Sequence, residues 1–264
     1  MPEFYLTLFA LPLSPLPAER LEVRMKRFLE GIRGTESLDE GELAQMAGSE
    51  RKADYLLGGR RIVAELKTLN GDPKDRIEQR LRERMAQPGA PLVFGRYGLS
   101  PVLNSLPDRE HMLRVLNDLS GRAVRRHLQK SDEQIQNSMA LVGKQSSAGL
   151  SIVMNDSEPM IDAANIGYAI KSAFENVASG YSNISFVWVS IECHRLNIPG
   201  AGQGYPQLLV TKSSAPSPEL NFMGGLLNGW AQYNGSILHH LEHNGDWDTM
   251  LPIYEGGPPV LSLY

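Results

Sequence analysis

The chain has 264 residues, 42% of them hydrophobic and 21% charged, which excludes a disordered tail and fits one large domain or one domain with a substantial extension. Its net charge of −4 gives no global nucleic-acid signature, so any anion must be met by a local basic patch or a metal. The single cysteine, Cys193, excludes an internal disulfide and a Cys-rich zinc site, and is expected to be a small buried hydrophobe.

The opening stretch, MPEFYLTLFALPLSPLPAER, carries an acid at Glu3, no basic cluster ahead of its apolar run, and prolines at Pro12, Pro15 and Pro17. It reads as a strand or an extended arm rather than a signal peptide. No stretch approaches the roughly 18 apolar residues of a membrane span, and a cytoplasmic protein is expected. Next, Leu21, Met25, Phe28, Leu29 and Ile32 recur at helical spacing, with Gly31 and Gly34 marking the end. Residues 35–52 are acidic and poorly periodic, which suits a loop or a short helix.

In ADYLLGGRRIVAELKTL two apolar runs flank Gly58-Gly59, the pattern of a β-hairpin. Gly71-Asp72-Pro73 stops the second strand. PKDRIEQRLRERMAQ then predicts a helix whose few apolar positions, Ile77, Leu81 and Met85, suggest a surface location. After a loop with one short strand comes a long helical region, about 108–142, which Gly121 is expected to divide or bend. Arg122, Arg125, Arg126, His127 and Lys130 make it locally basic.

GLSIVMND reads as a strand, PMIDAANIGYAIKSAFENV as a helix and ISFVWVSIE as an apolar strand, with Trp188 and Trp230 expected in the core. Residues 18–192 thus predict an α/β sandwich with helices against a mixed sheet, and residues 1–192 form the main domain. Residues 193–264 are rich in Gly, Pro, Asn and Ser. They read as an irregular extension packed on that domain, with a strand at PQLLVTK and a helix around FMGGLLNGWAQY.

RIVAELKTL carries charges at Glu65 and Lys67 inside an apolar strand. Residues i and i+2 of a strand share a face, so the two lie side by side, and hairpin pairing brings Asp54 opposite them. Two carboxylates at one point suit Mg²⁺ or Mn²⁺, with positions left for water and phosphate oxygen. An adjacent ammonium can hold an attacking water or offset charge on a phosphate. Metal-assisted phosphodiester hydrolysis uses those parts. The competing reading is a cross-strand salt bridge on a half-exposed sheet face. Glu-x-Lys alone says little: Glu50-Arg51-Lys52 repeats it in a polar stretch where it carries no meaning.

An Asp, about ten residues, then Glu-x-Lys on a hairpin followed by a helix resembles the PD-(D/E)xK nuclease superfamily, the restriction-endonuclease-like fold. Here the motif stands as Ala53-Asp54 and Glu65-Leu66-Lys67, with alanine where the motif name has proline. The run from the long helix through GLSIVMND to ISFVWVSIE also resembles uncharacterised bacterial proteins with this core. The resemblance covers about residues 18–192 and implies an αβββαβ-type core. It also implies a magnesium-dependent nuclease in which Asp54 and Glu65 hold the metal with the Leu66 carbonyl, and Lys67 orients the water. A first-helix acid, Glu22 or Glu30, and a later-helix Gln, Gln134 or Gln136, would join the site. Arg122, Arg125, Arg126 and Lys130 would contact phosphates. The expected partner is nucleic acid, DNA in the first place, with no membrane partner; a homodimer stays open. The alternatives are a non-catalytic interaction module that uses residues 193–264 to contact a protein, or a toxin or defence effector with the same chemistry.

Two further features suggest less. In ILHHLEHNGDWD, His239 and His243 would share a helix face and could bind zinc, but no third ligand is evident and a surface helix end is expected. AGQGYP lacks the strand-Gly-helix context of a nucleotide loop.

Overall fold

The computed structural model describes residues 3–9, 18–40, 51–71, 73–90, 96–143, 146–176, 181–198, 200, 202–212, 214–242, 250, 252–254, 257 and 259–262. In chain order the elements are β1 (Glu3–Phe9), α1 (Leu21–Glu30), β2 (Glu36–Ser37), β3 (Tyr55–Leu57), β4 (Ile62–Thr68), α2 (Lys74–Met85), β5 (Arg96–Gly98), α3 (Leu99–Ser105), α4 (Arg109–Val142), β6 (Ala148–Asn155), α5 (Ala163–Asn176), β7 (Phe186–Ile191), β8 (Leu196–Ile198), β9 (Gly202–Gly204), β10 (Pro206–Thr211), α6 (Ser217–Tyr233), β11 (Leu238–Glu242) and β12 (Val260–Ser262).

Strands that are apolar on both faces belong inside a covered sheet. Every residue of β6, β7 and β10 is buried, and these three form the middle of an eight-stranded mixed sheet of order β11-β1-β10-β7-β6-β4-β3-β2. β4, β6 and β7 run parallel; the pairings on either side of them are antiparallel. The fold is therefore α/β, a mixed central sheet flanked by helices.

Strand periodicity sorts the core into two layers. Val63, Val153, Val187, Val189, Leu208 and Val210 face α4 and α5. Ala64, Leu66, Leu150, Ile152, Trp188 and Leu209 face α1 and α6. Trp188 and Trp230 are both fully buried, as expected. α2 is less superficial than its sequence suggests: Ile77 and Leu81 pack with α3, the start of α4 and Leu261 in a third cluster. Among the described residues, no helix is long and apolar enough to cross a membrane.

Two expectations need correction. The segment after Cys193 is not an irregular extension: β10 inserts between β7 and β1, and α6 lays Met223, Leu226, Leu227 and Trp230 on one face of the sheet. Its Gly and Pro residues sit in the connections, and the short apolar PQLLVT becomes a central strand because its partners come from both ends of the chain. Gly121 does not divide the long helix either. α4 runs unbroken through 34 residues, and Gly121 lets it approach α5, where an added Cβ would lie 2.8 Å from the Ala169 Cβ.

A Cβ at Gly149 of β6 would overlap the Asn183 carbonyl oxygen and crowd Ile135, whereas Gly224 and Gly225 of α6 face open space. Gly149→Ala is therefore expected to cost about 3 kcal/mol or more. Gly224→Ala should instead stabilise by about 0.5–1 kcal/mol through helix propensity. Urea denaturation of both variants checks the contrast.

Candidate active site

The hairpin sets the first distances. β3 and β4 pair with Tyr55 opposite Ala64 and Leu56 opposite Val63, so the next step puts Asp54 opposite Glu65. Gly58 and Gly59 make the reversal with φ of 61° and 69°, which glycine adopts without steric cost. Arg60 follows at 71°, its guanidinium held by Glu36 at 2.8 Å. Asp54 lies just outside β3. Its amide donates to the Ala64 carbonyl (3.1 Å), and its Oδ2 accepts from the Leu66 amide (2.7 Å). The carboxylate thus takes the place of a strand carbonyl and is locked against β4.

Glu65 and Lys67 share the face of β4 that meets α4, while Leu66 packs on the other side with α1 and α6. Glu65 is 1% exposed, so the half-exposed salt bridge considered above is not what forms. Lys67 Nζ donates to Glu65 Oε1 and, at 2.9 Å, to Gln134 Oε1 on α4. Gln134 Nε2 in turn donates to the Lys52 carbonyl at 2.8 Å. Glu65 Oε2 is buried and no donor reaches it. The Asp54 carboxylate stands close enough to Glu65 to raise its proton affinity. Burial first, then the neighbouring Asp54 charge, pushes the Glu65 carboxyl up to about 8, with Lys67 opposing. Burial also raises Asp54, against the Leu66 amide and Lys67.

This donor set fits a hard divalent cation. The Asp54 charge and burial raise the proton affinity of Glu65, one Glu65 oxygen has no donor, and a cation there would relieve both. Among the described residues, no third His, Cys, Asp or Glu completes a metal-binding group. Of the first-helix acids, Glu22 accepts from the Thr68 hydroxyl (3.0 Å) and pairs with Lys26 (2.8 Å), and Glu30 accepts from the Tyr55 hydroxyl (2.9 Å).

α4 distributes the remaining candidates by its periodicity. Arg122, Arg126 and Lys130 are exposed and, at four-residue steps, form a line that leads to Gln134. Arg125 leaves that line: its guanidinium donates to the Asp118 carbonyl at 2.8 Å. Gln136, exposed, lies about 200° around the helix from Gln134.

His127 is no part of the basic surface. Both its ring nitrogens are buried without partners. Burial, followed by the charges of Lys67, Arg126 and Lys130, pushes it down to about 4, so it is neutral at pH 7.

Sequence reasoning missed Arg51, dismissed with its neighbours as a polar stretch. It lines a cleft of about 300 Å³ together with Lys130, Glu133, Gln134 and Asn137. A signal was available in its place three residues before Asp54.

The other candidates fall outside the site. His239 and His240 sit on the edge strand β11, not on a helix, so the four-residue helical spacing to His243 does not apply; His243 lies outside the described residues. Cys193 is partly buried, and burial pushes its thiol up to about 12, leaving it inert. Comparison with family models, with curated proteins and with solved structures finds no match to this chain.

The buried Glu65 carboxyl has a stability consequence with a definite sign. Its folded-state value lies above its ordinary value of 4.5. The folded state therefore holds the proton more tightly, and stability is lost as pH rises from about 4.5 through about 8. Scanning fluorimetry in EDTA should show Glu65→Gln gaining most over the wild type at alkaline pH, the gain shrinking as pH falls. A Mn²⁺-induced rise in Tm should grow with pH in the wild type and vanish in Glu65→Gln. A difference independent of pH would contradict the burial account.

Proposed function

We propose that this chain is a divalent-metal-dependent phosphodiesterase acting on nucleic acid, a nuclease of the PD-(D/E)xK type. One observation carries the reading: Glu65 is buried beside Asp54 with an oxygen that no donor reaches, and Lys67 lies against it. A charge pair serving stability alone gains by closing all its hydrogen bonds; this one leaves a position open on the acidic side. The element order adds support. α1, the antiparallel strands β2, β3 and β4, then α4 and the parallel strand β6 follow the αβββαβ pattern, with α2 and α3 as an insertion.

Asp54 and Glu65 would hold Mg²⁺ or Mn²⁺, with the Leu66 carbonyl as a backbone ligand. Such an ion, when bound, supplies Lewis acidity and charge neutralisation at a phosphate. The chain's own residues do the rest. Lys67 holds the attacking water by hydrogen bond and offsets charge on the phosphate oxygens. Gln134 fixes the Lys67 ammonium from the α4 side, and its second bond to the Lys52 carbonyl holds its amide in one orientation. Arg122, Arg126 and Lys130 neutralise neighbouring phosphates along α4, the local basic patch that an acidic protein needs to hold a polyanion.

Incubation with single-stranded and duplex DNA and with RNA, in Mg²⁺ or Mn²⁺, tests the activity. Lys67→Ala should lower cleavage at least about a hundredfold with the fold unchanged by circular dichroism. By calorimetry the wild type should bind Mn²⁺ and Asp54→Asn should not. Wild-type protein that binds no Mn²⁺ and cuts none of these substrates would refute the proposal. Mn²⁺ binding without cleavage would favour the non-catalytic module.

A further inference from the structure

The cleft beside Gln134 has a composition that phosphate binding alone does not explain. Its two cations, Arg51 and Lys130, are exposed, and neither forms an ion pair among the described residues. In a chain of net charge −4, two cations at one depression with no ion pair among the described residues mark an anion site. The cleft also contains the Glu133 carboxylate, which repels phosphate. Asn137 lines it too. Its amide donates to the Arg51 carbonyl at 2.9 Å, tying the loop before β3 to α4, and its own carbonyl oxygen has no protein partner among the described residues.

Two cations with two acceptors that have capacity left, the Asn137 oxygen and a Glu133 carboxylate that takes one bond at Oε1 from Gln129 Nε2 (3.4 Å), are the complement of a phosphate joined to a group that carries N–H donors. The exocyclic amines and ring N–H groups of nucleobases are such donors, and a carboxylate accepts from the cytosine amine. An unpaired base presents its whole edge to a protein side chain; in a duplex the ring N–H groups are consumed and each exocyclic amine keeps one N–H, within a groove. The volume of about 300 Å³ stands at the lower limit of small-ligand pockets. That leaves room for one nucleotide and none for a double helix. Position completes the argument: Gln134 forms one wall of the cleft and bonds Lys67 at 2.9 Å, so an occupant lies one side chain from the candidate reacting phosphate.

We infer that this cleft holds one unpaired nucleotide next to the reacting phosphate, so that the substrate is a single strand, or a single-stranded end or branch, of a polynucleotide. Arg51 and Lys130 take the flanking phosphate, and Glu133 and Asn137 take the base edge. The inference rests on the phosphodiesterase reading for what happens to the strand afterwards, but not for its binding. Among the described residues the cleft has no aromatic side chain, so the affinity these residues supply comes from charge and hydrogen bonds rather than stacking and is sensitive to salt.

Fluorescence anisotropy in EDTA, where metal-dependent cleavage is silent, tests it with labelled octamers of single-stranded DNA and RNA and a hairpin duplex. Both single strands should bind at least about tenfold more tightly than the duplex, since a cleft of this size receives an unstacked base and not a stacked base pair. Arg51→Glu and Lys130→Glu should each weaken single-strand binding about tenfold or more. Arg51→Ala and Lys130→Ala should each reduce the slope of log affinity against log salt by about 0.7. Oligocytidine should bind more tightly than oligothymidine, whose one N–H donor lies between two carbonyl oxygens, and Glu133→Gln should narrow that ratio. Equal or tighter duplex binding, charge reversals without effect, or a base preference untouched by Glu133→Gln would each overturn the inference. Binding of only one sugar type would restrict the substrate to DNA or to RNA. Failure of the wild type to bind Mn²⁺ would sink the phosphodiesterase reading and leave the binding result standing. Unaltered Tm in the four Arg51 and Lys130 variants confirms that a loss of binding is not a loss of fold.

Discussion

A buried carboxyl with one unmatched oxygen sets the terms for everything around it. Removing a carboxylate from water costs several kcal/mol unless hydrogen bonds and an opposite charge offset the loss. Glu65 is 1% exposed, and Lys67 satisfies one of its oxygens. Lys67 then depends on Gln134, and Gln134 on the Lys52 carbonyl. The chain of dependence runs from a strand through a helix into the loop before β3, and a change at any link reaches the carboxyl. Asp54 adds to the strain on this site: it is locked to the Leu66 amide at 2.7 Å, so it cannot swing away from Glu65 as both ionise.

The other face of the sheet shows how a buried ion pair looks when structure is its whole purpose. Arg24 is 2% exposed and donates to Glu192, to Asn234 Oδ1 and to the Glu19 carbonyl, with its guanidinium 5.7 Å from the Trp230 ring centre. Neither Arg24 nor Glu192 is left with an orphaned polar atom. Burial raises the Glu192 carboxyl as it does Glu65, but there the first opposing influence is Arg24, and a second acid, Asp156, weighs least. At Glu65 the charge of the second acid, Asp54, comes next after burial, ahead of the charge of the lysine. In both pairs a buried carboxyl meets a cation. They differ in closure, and closure separates a pair that ties α1 to the end of β7 and the end of α6 from one with a buried oxygen left unbonded.

The site's centre was legible because strand geometry is local. The period of two put Glu65 and Lys67 on one face, and the Gly58-Gly59 reversal put Asp54 opposite, without knowledge of any distant residue. What escaped depended on contacts remote in sequence. PQLLVT looked peripheral because its neighbours in the sheet are Phe186–Ile191 on one side and the N-terminal strand on the other. Gly121 looked like a helix breaker, but the pressure on that position comes from Ala169 on another helix. His127 looked like one more cation in a basic run. Its side of α4 is turned inward toward Lys67, and only the packing of α4 on the sheet reveals that. Arg51 drew no notice because neither strand nor helix periodicity applies to a loop.

The asymmetry of the sheet explains why chemistry would gather on this side. Toward β11 the strands are long and layered by helices; toward β2 they shrink to three residues in β3 and two in β2. β3 begins only at Tyr55, one residue after Asp54 in sequence, so the Asp54 side chain rather than a further strand carbonyl meets the Leu66 amide. Had β3 extended further, its backbone would have covered Glu65 and the loop carrying Arg51 would have continued the sheet. Because it stops, that loop can turn over α4, where Asn137 holds the Arg51 carbonyl and Gln134 holds that of Lys52. The shortened hairpin thus does two things at once: it exchanges a backbone acceptor for a carboxylate beside Glu65, and it opens the cleft beside Gln134. One truncated strand links the acidic and the basic halves of the site, which is why they lie together on a face otherwise built from valine and isoleucine.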